Sequence, residues 1–229
     1  MHVLLLMLFS LVFWITLIIF MFLIPWCAVI SYPFFFNRKK AYRFFLMRFL
    51  RIWLGMLVQL PKVSGLDNIP RTGGLVMVSN HWSVIDFFLI NSVSPRFINI
   101  FIDSVFFKWF MIPVPDGADL LREDNSNPSV AALFLKRAMD RINGGEAVAI
   151  FPEGVKADKE ARMRPLKGGL YKIIEATDPV ILPVNIKRGF EMRFPFLVLK
   201  PEITIGRPIG KDDILAKRDT FVRQKIDEL

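Results

Sequence analysis

The chain has 229 residues, 53% of them hydrophobic, and 30 Lys and Arg against 21 Asp and Glu give it a formal charge of +9. That length suits one domain with a sizeable core or a smaller domain with an appendage, and the hydrophobic share is high for a chain held wholly in water. The single cysteine, Cys27, sits inside an apolar run, which excludes a disulfide framework, a cysteine metal cluster and a thiolate nucleophile.

Residues 3–24, VLLLMLFSLVFWITLIIFMFLI, carry no charge, and Ser10 and Thr16 are the polar side chains among them. As a helix this run reaches roughly 33 Å against a hydrocarbon core of about 30 Å, so a membrane helix is expected. A secretory signal peptide would begin with a basic segment, and here only Met1 and His2 precede the run. The apolar character also continues past Pro25 through WCAVISYPFFF without a small-residue cleavage site, so the expectation is a retained anchor. Pro25 and Pro33 interrupt it. One span followed by an interfacial piece satisfies the pattern, as does a helical hairpin held in one leaflet.

Arg38, Lys39, Lys40, Arg43, Arg48 and Arg51 follow with no acid among them, interleaved with Phe44, Phe45, Leu46, Met47, Phe49 and Leu50. A basic helix with this much apolar surface reads as lying on an anionic membrane, and the excess of cations places this end on the cytoplasmic face. The other reading is a buried helix flanked by solvated charge. Nucleic acid is disfavoured as a partner, because an anchor adjoins the basic patch directly.

From Pro61 onward short apolar runs alternate with helical spacing. GLVMVS (74–79), RFINIFI (96–102), EAVAIF (146–151) and VILPVNI (180–186) read as strands, with FLVLK and EITIG (196–206) as a later pair. Residues 83–93, 104–111, 128–142, 167–176 and 211–229 read as helices. The pattern divides the chain into residues 1–60, anchor and basic interfacial helix, and residues 61–229, one α/β domain with a largely buried sheet. The chemistry of such a domain belongs in the loops after strand ends.

One such loop holds SNHWSVIDFF, where His81 stands five residues before Asp86. Five residues turn an α-helix through roughly 500°, so two helical side chains at this spacing would sit about 140° apart. They meet if His81 lies in the loop, Ser83 caps the helix and Asp86 falls in its first turn. Two readings then stand: a base with its orienting carboxylate, or a cap completed by Asp86 beside a satisfied loop histidine. FPEG, Phe151 to Gly154, brings a carboxylate and a flexible turn to the end of another strand, though Pro-Glu-Gly is also ordinary turn chemistry. Arg122, Lys156, Arg162, Arg164 and Lys167 are cations suited to a phosphate, each of which singly is a solvated surface charge. Two histidines, one of them His2, leave too few ligands for a metal site.

Taken together and in this order, these blocks resemble the glycerolipid acyltransferases of the 1-acyl-sn-glycerol-3-phosphate acyltransferase type, over about residues 62–207. NHWSVID matches that family's NHxxxxD block, FPEG its third block, and ILPVNI, with Pro183 and Val184, its fourth. VFFKWFMIPVPDGADLLRED (105–124) occupies the second and is the loosest match. Leu121 replaces the aspartate usual before the arginine, and Val155, Lys156 and Ala157 stand where Thr-Arg-Ser is common. The resemblance implies a single α/β domain with a mostly buried mixed sheet. It implies transfer of a fatty acyl group from a coenzyme A or acyl-carrier-protein thioester to the hydroxyl of a lysophospholipid, commonly lysophosphatidic acid, at a membrane. It casts His81 as general base and Asp86 as its orienting partner. Asn80, Phe151, Pro152, Glu153 and Gly154 would bind the acceptor, with Arg122 and Lys156 against its phosphate. No cofactor or metal is expected beyond the thioester co-substrate. An acceptor such as lysophosphatidylethanolamine would use the same residues. A lipid hydrolase and a non-catalytic lipid-binding module of the same fold are the rival readings.

Overall fold

The computed structural model describes residues 38–56, 61–81, 86–100, 128–152, 168–187, 191–193, 196–198 and 201–229, with scattered positions between 4 and 23. Helix α1 (Arg38–Met56) comes first. It is followed by β1 (Lys62–Ser64), β2 (Leu75–Ser79), α2 (Asp86–Val93), β3 (Ile98–Ile100), α3 (Pro128–Asn143) and β4 (Ala147–Ile150). Next come α4 (Gly169–Ala176), β5 (Val180–Lys187), β6 (Glu191–Arg193), β7 (Phe196–Val198), β8 (Glu202–Ile205) and α5 (Lys211–Asp227). The helix expected at 104–111 lies outside the described residues.

Six strands form one sheet in the order β1-β8-β5-β2-β4-β3. β2 runs parallel to both β4 and β5, β3 parallel to β4, and β8 antiparallel to β5 and parallel to β1, so the sheet is mixed. Successive side chains of a strand point to opposite faces. Leu75, Met77, Ala147, Ala149, Leu182 and Val184 face α1 and α2. Val76, Val78, Val148, Ile150 and Ile181 face α3, α4 and α5. Both faces are covered, which is why the central strands are continuous apolar runs rather than alternating ones.

The late strands pair differently from expectation. Phe196–Val198 pairs with Glu191–Arg193 in a separate two-stranded ribbon, whereas Glu202–Ile205 enters the main sheet between β5 and β1. Pro201 lies between the two runs. β8 finds a parallel partner in β1, three residues with Val63 as their one apolar side chain. Gly65, directly after β1, has φ +75°, and a Cβ there would stand 2.0 Å from the carbonyl oxygen of Ile205. Glycine is what lets the chain turn this close to the end of β8.

Helix α1 is a core element as well as a basic one. Leu46, Phe49, Leu50, Trp53 and Leu54 recur at helical spacing and are buried against the sheet. Arg43 is not among the surface cations. Its Nη2 donates to Glu146 Oε2 at 2.7 Å and to Asn99 Oδ1 at 3.1 Å, and Arg141 Nη1 donates to the same two atoms at 2.6 and 2.8 Å. Partial burial pushes the Glu146 carboxyl up, but the hydrogen bonds and charges of Arg43 and Arg141 outweigh it and hold the group below its ordinary value. The opposite face of α1 exposes Lys40, Phe44, Arg48, Arg51 and Ile52.

The described positions between 4 and 23 are helical. Thr16 Oγ1 accepts a hydrogen bond from Trp53 Nε1 at 2.9 Å, and Trp14 packs on the α1 side of the core. Leu4, Leu8, Leu11, Ile15 and Ile19 are exposed. Among the described residues no helix is long and apolar enough to cross a membrane.

Candidate active site

β2 and β4 are hydrogen-bonded neighbours with Val78 opposite Ile150, so Asn80–His81 and Phe151–Pro152 leave the sheet side by side at its carboxyl edge. The imidazole of His81 stacks on the ring of Phe151, with centroids 4.3 Å apart and planes 26° from parallel. On its other side His81 Nδ1 lies 2.9 Å from Asp86 Oδ2. Asp86 is fully buried and opens the described part of α2, where the positive end of the helix favours a carboxylate. The loop-then-first-turn arrangement is the one the spacing requires.

A carboxylate only accepts, so Nδ1 carries the proton, and Nε2 is the basic nitrogen of that tautomer. With 20% of its side chain exposed, His81 can be reached by a ligand while its partner stays dry. Of the two roles open to Asp86, the hydrogen bond to His81 is present; Ser83, the expected cap, lies outside the described residues.

Asn80 places this loop. Its Nδ2 donates to Asn185 Oδ1 at 3.1 Å and to the Ile186 carbonyl at 3.0 Å, while its Oδ1 accepts from the Ile186 N–H at 2.8 Å. The side chain thus continues the pairing of β2 with β5 one step beyond Ser79. Asn185 in turn donates to the Ile226 carbonyl in α5 at 2.9 Å. The Asn80 amide, expected to meet substrate, is hydrogen-bonded to β5 and anchors the start of the loop that carries His81. Asn185 was not singled out from the sequence, although an amide inside the otherwise apolar Ile181–Ile186 is itself a signal, since buried polar groups need partners.

The structure therefore brings Asn80, His81, Asp86, Phe151 and the buried Pro152 together. Arg122, Glu153, Gly154 and Lys156 lie outside the described residues, as do Arg162, Arg164 and Lys167. Among the described residues no three His, Cys, Asp or Glu side chains converge in a way that would hold a metal ion.

A buried carboxylate beside a partly exposed imidazole, at the carboxyl edge of a sheet covered on both faces, is an arrangement that can take a proton from a hydroxyl or another weak acid. The family profile described as Acyltransferase matches residues 61–187, and the chain belongs to that family. Over 129 residues it is 29% identical to a chloroplastic 1-acyl-sn-glycerol-3-phosphate acyltransferase of Brassica napus, covering 54% of this chain and 36% of that protein. It is 27% identical to a like-named chloroplastic protein of Arabidopsis thaliana, over 54% of this chain and 35% of that one. The chain thus spans about a third of the length of these relatives. The crystal structure of the 1-acyl-sn-glycerophosphate acyltransferase of Thermotoga maritima superposes with a TM-score of 0.74, covering 100% of this chain and 99% of that one. At 18% identity this likeness speaks to the fold.

Proposed function

We propose that the protein transfers a fatty acyl group from a coenzyme A or acyl-carrier-protein thioester to the free hydroxyl of a lysophospholipid, with 1-acyl-sn-glycerol-3-phosphate as acceptor and phosphatidic acid as product. The observation that carries the proposal is the 2.9 Å contact from His81 Nδ1 to buried Asp86 within the acyltransferase region. Nε2 takes the hydroxyl proton as the acceptor oxygen attacks the thioester carbonyl carbon. The tetrahedral intermediate collapses with cleavage of the C–S bond, and the imidazolium returns the proton to the departing sulfur. Asp86 stabilises that imidazolium, and such a base contributes about 10² to 10⁴ in rate. The thioester is already activated, so no acyl-enzyme is required.

By the resemblance, Glu153 and Gly154 orient the acceptor, and Arg122 and Lys156 face its phosphate. A lysine at 156 retains the charge but lacks the two-pronged fork of an arginine. Acceptor and product both reside in a bilayer. The apolar N-terminal segment serves as a membrane helix over residues 3–24 or as a hairpin continuing past Pro25, a reading supported by the exposed Leu4, Leu8, Leu11, Ile15 and Ile19. The outer face of α1, with Lys40, Phe44, Arg48, Arg51 and Ile52, rests at the headgroups on the cytoplasmic side.

The test is incubation of the full chain with labelled acyl-coenzyme A and a panel of lysophospholipids. Labelled phosphatidic acid from lysophosphatidic acid is the expected product. Preferential acylation of lysophosphatidylethanolamine replaces the acceptor and keeps the reaction. Free fatty acid as the sole labelled product makes the protein a hydrolase, and bound but unreacted lipid makes it a binding module.

A further inference from the structure

The outer face of α1 borders a cavity of about 690 Å³ that is separate from the His81 site. Its polar wall carries Arg48 and Arg51 from α1 and Arg71 from the loop before β2, with Asp67 as the acid among them. Phe44 and Ile69 contribute to its apolar wall. Three guanidinium groups against one carboxylate favour an anion. Arg51 is held by a hydrogen bond from its Nε to the Ser92 carbonyl at 3.0 Å, and the Arg48 guanidinium stands over the Phe44 ring, 5.4 Å from its centroid. Held guanidinium groups lose little freedom on meeting a phosphate, and their planar forks match its oxygens.

The apolar wall says what kind of anion. Phe44, in the cavity wall, is 44% exposed, and Ile52, on the same face of α1 one turn beyond Arg48, is 60% exposed, so apolar side chains stand beside the cations on this face. A free phosphate would use the arginines and leave that surface wet. A phospholipid uses both, with its phosphate among the guanidinium groups and its chains along Phe44 and Ile52.

The position separates this ligand from the acyl acceptor. Arg71 precedes β2 and His81 follows it, so the length of that strand, about 17 Å, lies between them. We propose that this cavity holds the phosphate of one anionic glycerophospholipid of the bilayer, a docking lipid that is not acylated and that sets how the domain sits on the membrane. The inference rests on the reading of α1 as the face turned to the bilayer.

The test uses the full chain with vesicles of phosphatidylcholine alone and vesicles containing about one-fifth phosphatidylglycerol, read by flotation, beside turnover on micellar substrate. Arg71→Glu is expected to lower the preference for anionic vesicles by about tenfold or more. Lys172→Glu, the same charge change on exposed α4 across the sheet, is expected to alter it less than about twofold. Micellar turnover and melting temperature should be unchanged in both. Arg71→Gln, expected to show an intermediate loss, serves if the glutamate variant folds poorly. Equal losses in Arg71→Glu and Lys172→Glu overturn the site in favour of net charge, and displacement by inorganic phosphate alone overturns it in favour of a free anion. Micellar turnover reports the acyl transfer by itself, so an active protein with no anionic preference refutes the docking site and spares the reaction.

Discussion

Replacing Asp86 with Asn tests the proposed base most directly, because it removes a charge and leaves the shape. An asparagine side chain still fills the fully buried position and still offers an oxygen to His81 Nδ1. What disappears is the attraction between a carboxylate and the imidazolium formed as the acceptor hydroxyl loses its proton. The Nδ1–Oδ2 contact of 2.9 Å puts the two groups in direct hydrogen-bond contact. Their charge centres then lie about 4 Å apart, and at an effective dielectric of about 20 the attraction is about 4 kcal/mol. That corresponds to about 10³ in rate. The expected result is a fall of that order in kcat, measured with saturating acyl-coenzyme A and micellar acceptor. The acceptor KM should change less than about threefold, because the charge matters in the transition state and not in the bound ground state. Adding His81→Ala to the same chain should cost little more, since residues that act as one unit are not additive. A kcat within about threefold of the parent in a folded Asp86→Asn protein would show that His81 is not the base or that Asp86 does not serve it.

Two further outcomes follow from the neighbouring contacts. Asn185→Leu removes both the acceptor for Asn80 and the donor to Ile226, and is expected to lower kcat by about tenfold to a hundredfold through a displaced His81, with KM nearly unchanged. Parallel changes in kcat and KM, or none in a folded protein, would refute a positioning role. Glu146 has a lowered carboxyl pKa in the folded chain, so the stability it contributes is fully present above the ordinary value of 4.5 and is lost as the pH falls through the lowered one. Urea unfolding at neutral pH and at about pH 3 should therefore show a drop that Glu146→Gln makes smaller. At neutral pH that variant should itself be about 2 kcal/mol less stable, because Arg43 and Arg141 lose their shared carboxylate. An unchanged pH dependence in Glu146→Gln would refute the role of the cluster.

The parts of the fold that were legible are those where one physical constraint acts alone. β2, β4 and β5 are dominated by apolar residues because both faces of the sheet are covered, and such runs admit few other readings. His81 and Asp86 were placed correctly because their spacing leaves one workable geometry. β1 was missed because three residues with one apolar side chain carry no period, and its strand character comes from β8, far along the chain. The partner of Glu202–Ile205 was misjudged for the same reason, since adjacency favours a hairpin and long-range pairing leaves no local trace. Arg43 reads like Arg48 in sequence. It differs in what it meets, Glu146 and Asn99, and neither is near it along the chain.

Helix α1 belongs to two environments at once, with one face closing the sheet and the other open to whatever lies outside. A chain begun at residue 61 would lose Leu46, Phe49, Leu50, Trp53 and Leu54 from the core, so this basic helix cannot be trimmed away like a tether. Any ligand that binds the folded form of this helix and not its unfolded form adds its binding free energy to that of folding. On the proposed reading of α1, a lipid surface that touched its exposed face would then act as a chaperoning solvent for the fold, and the melting temperature of the protein should rise when a bilayer is supplied.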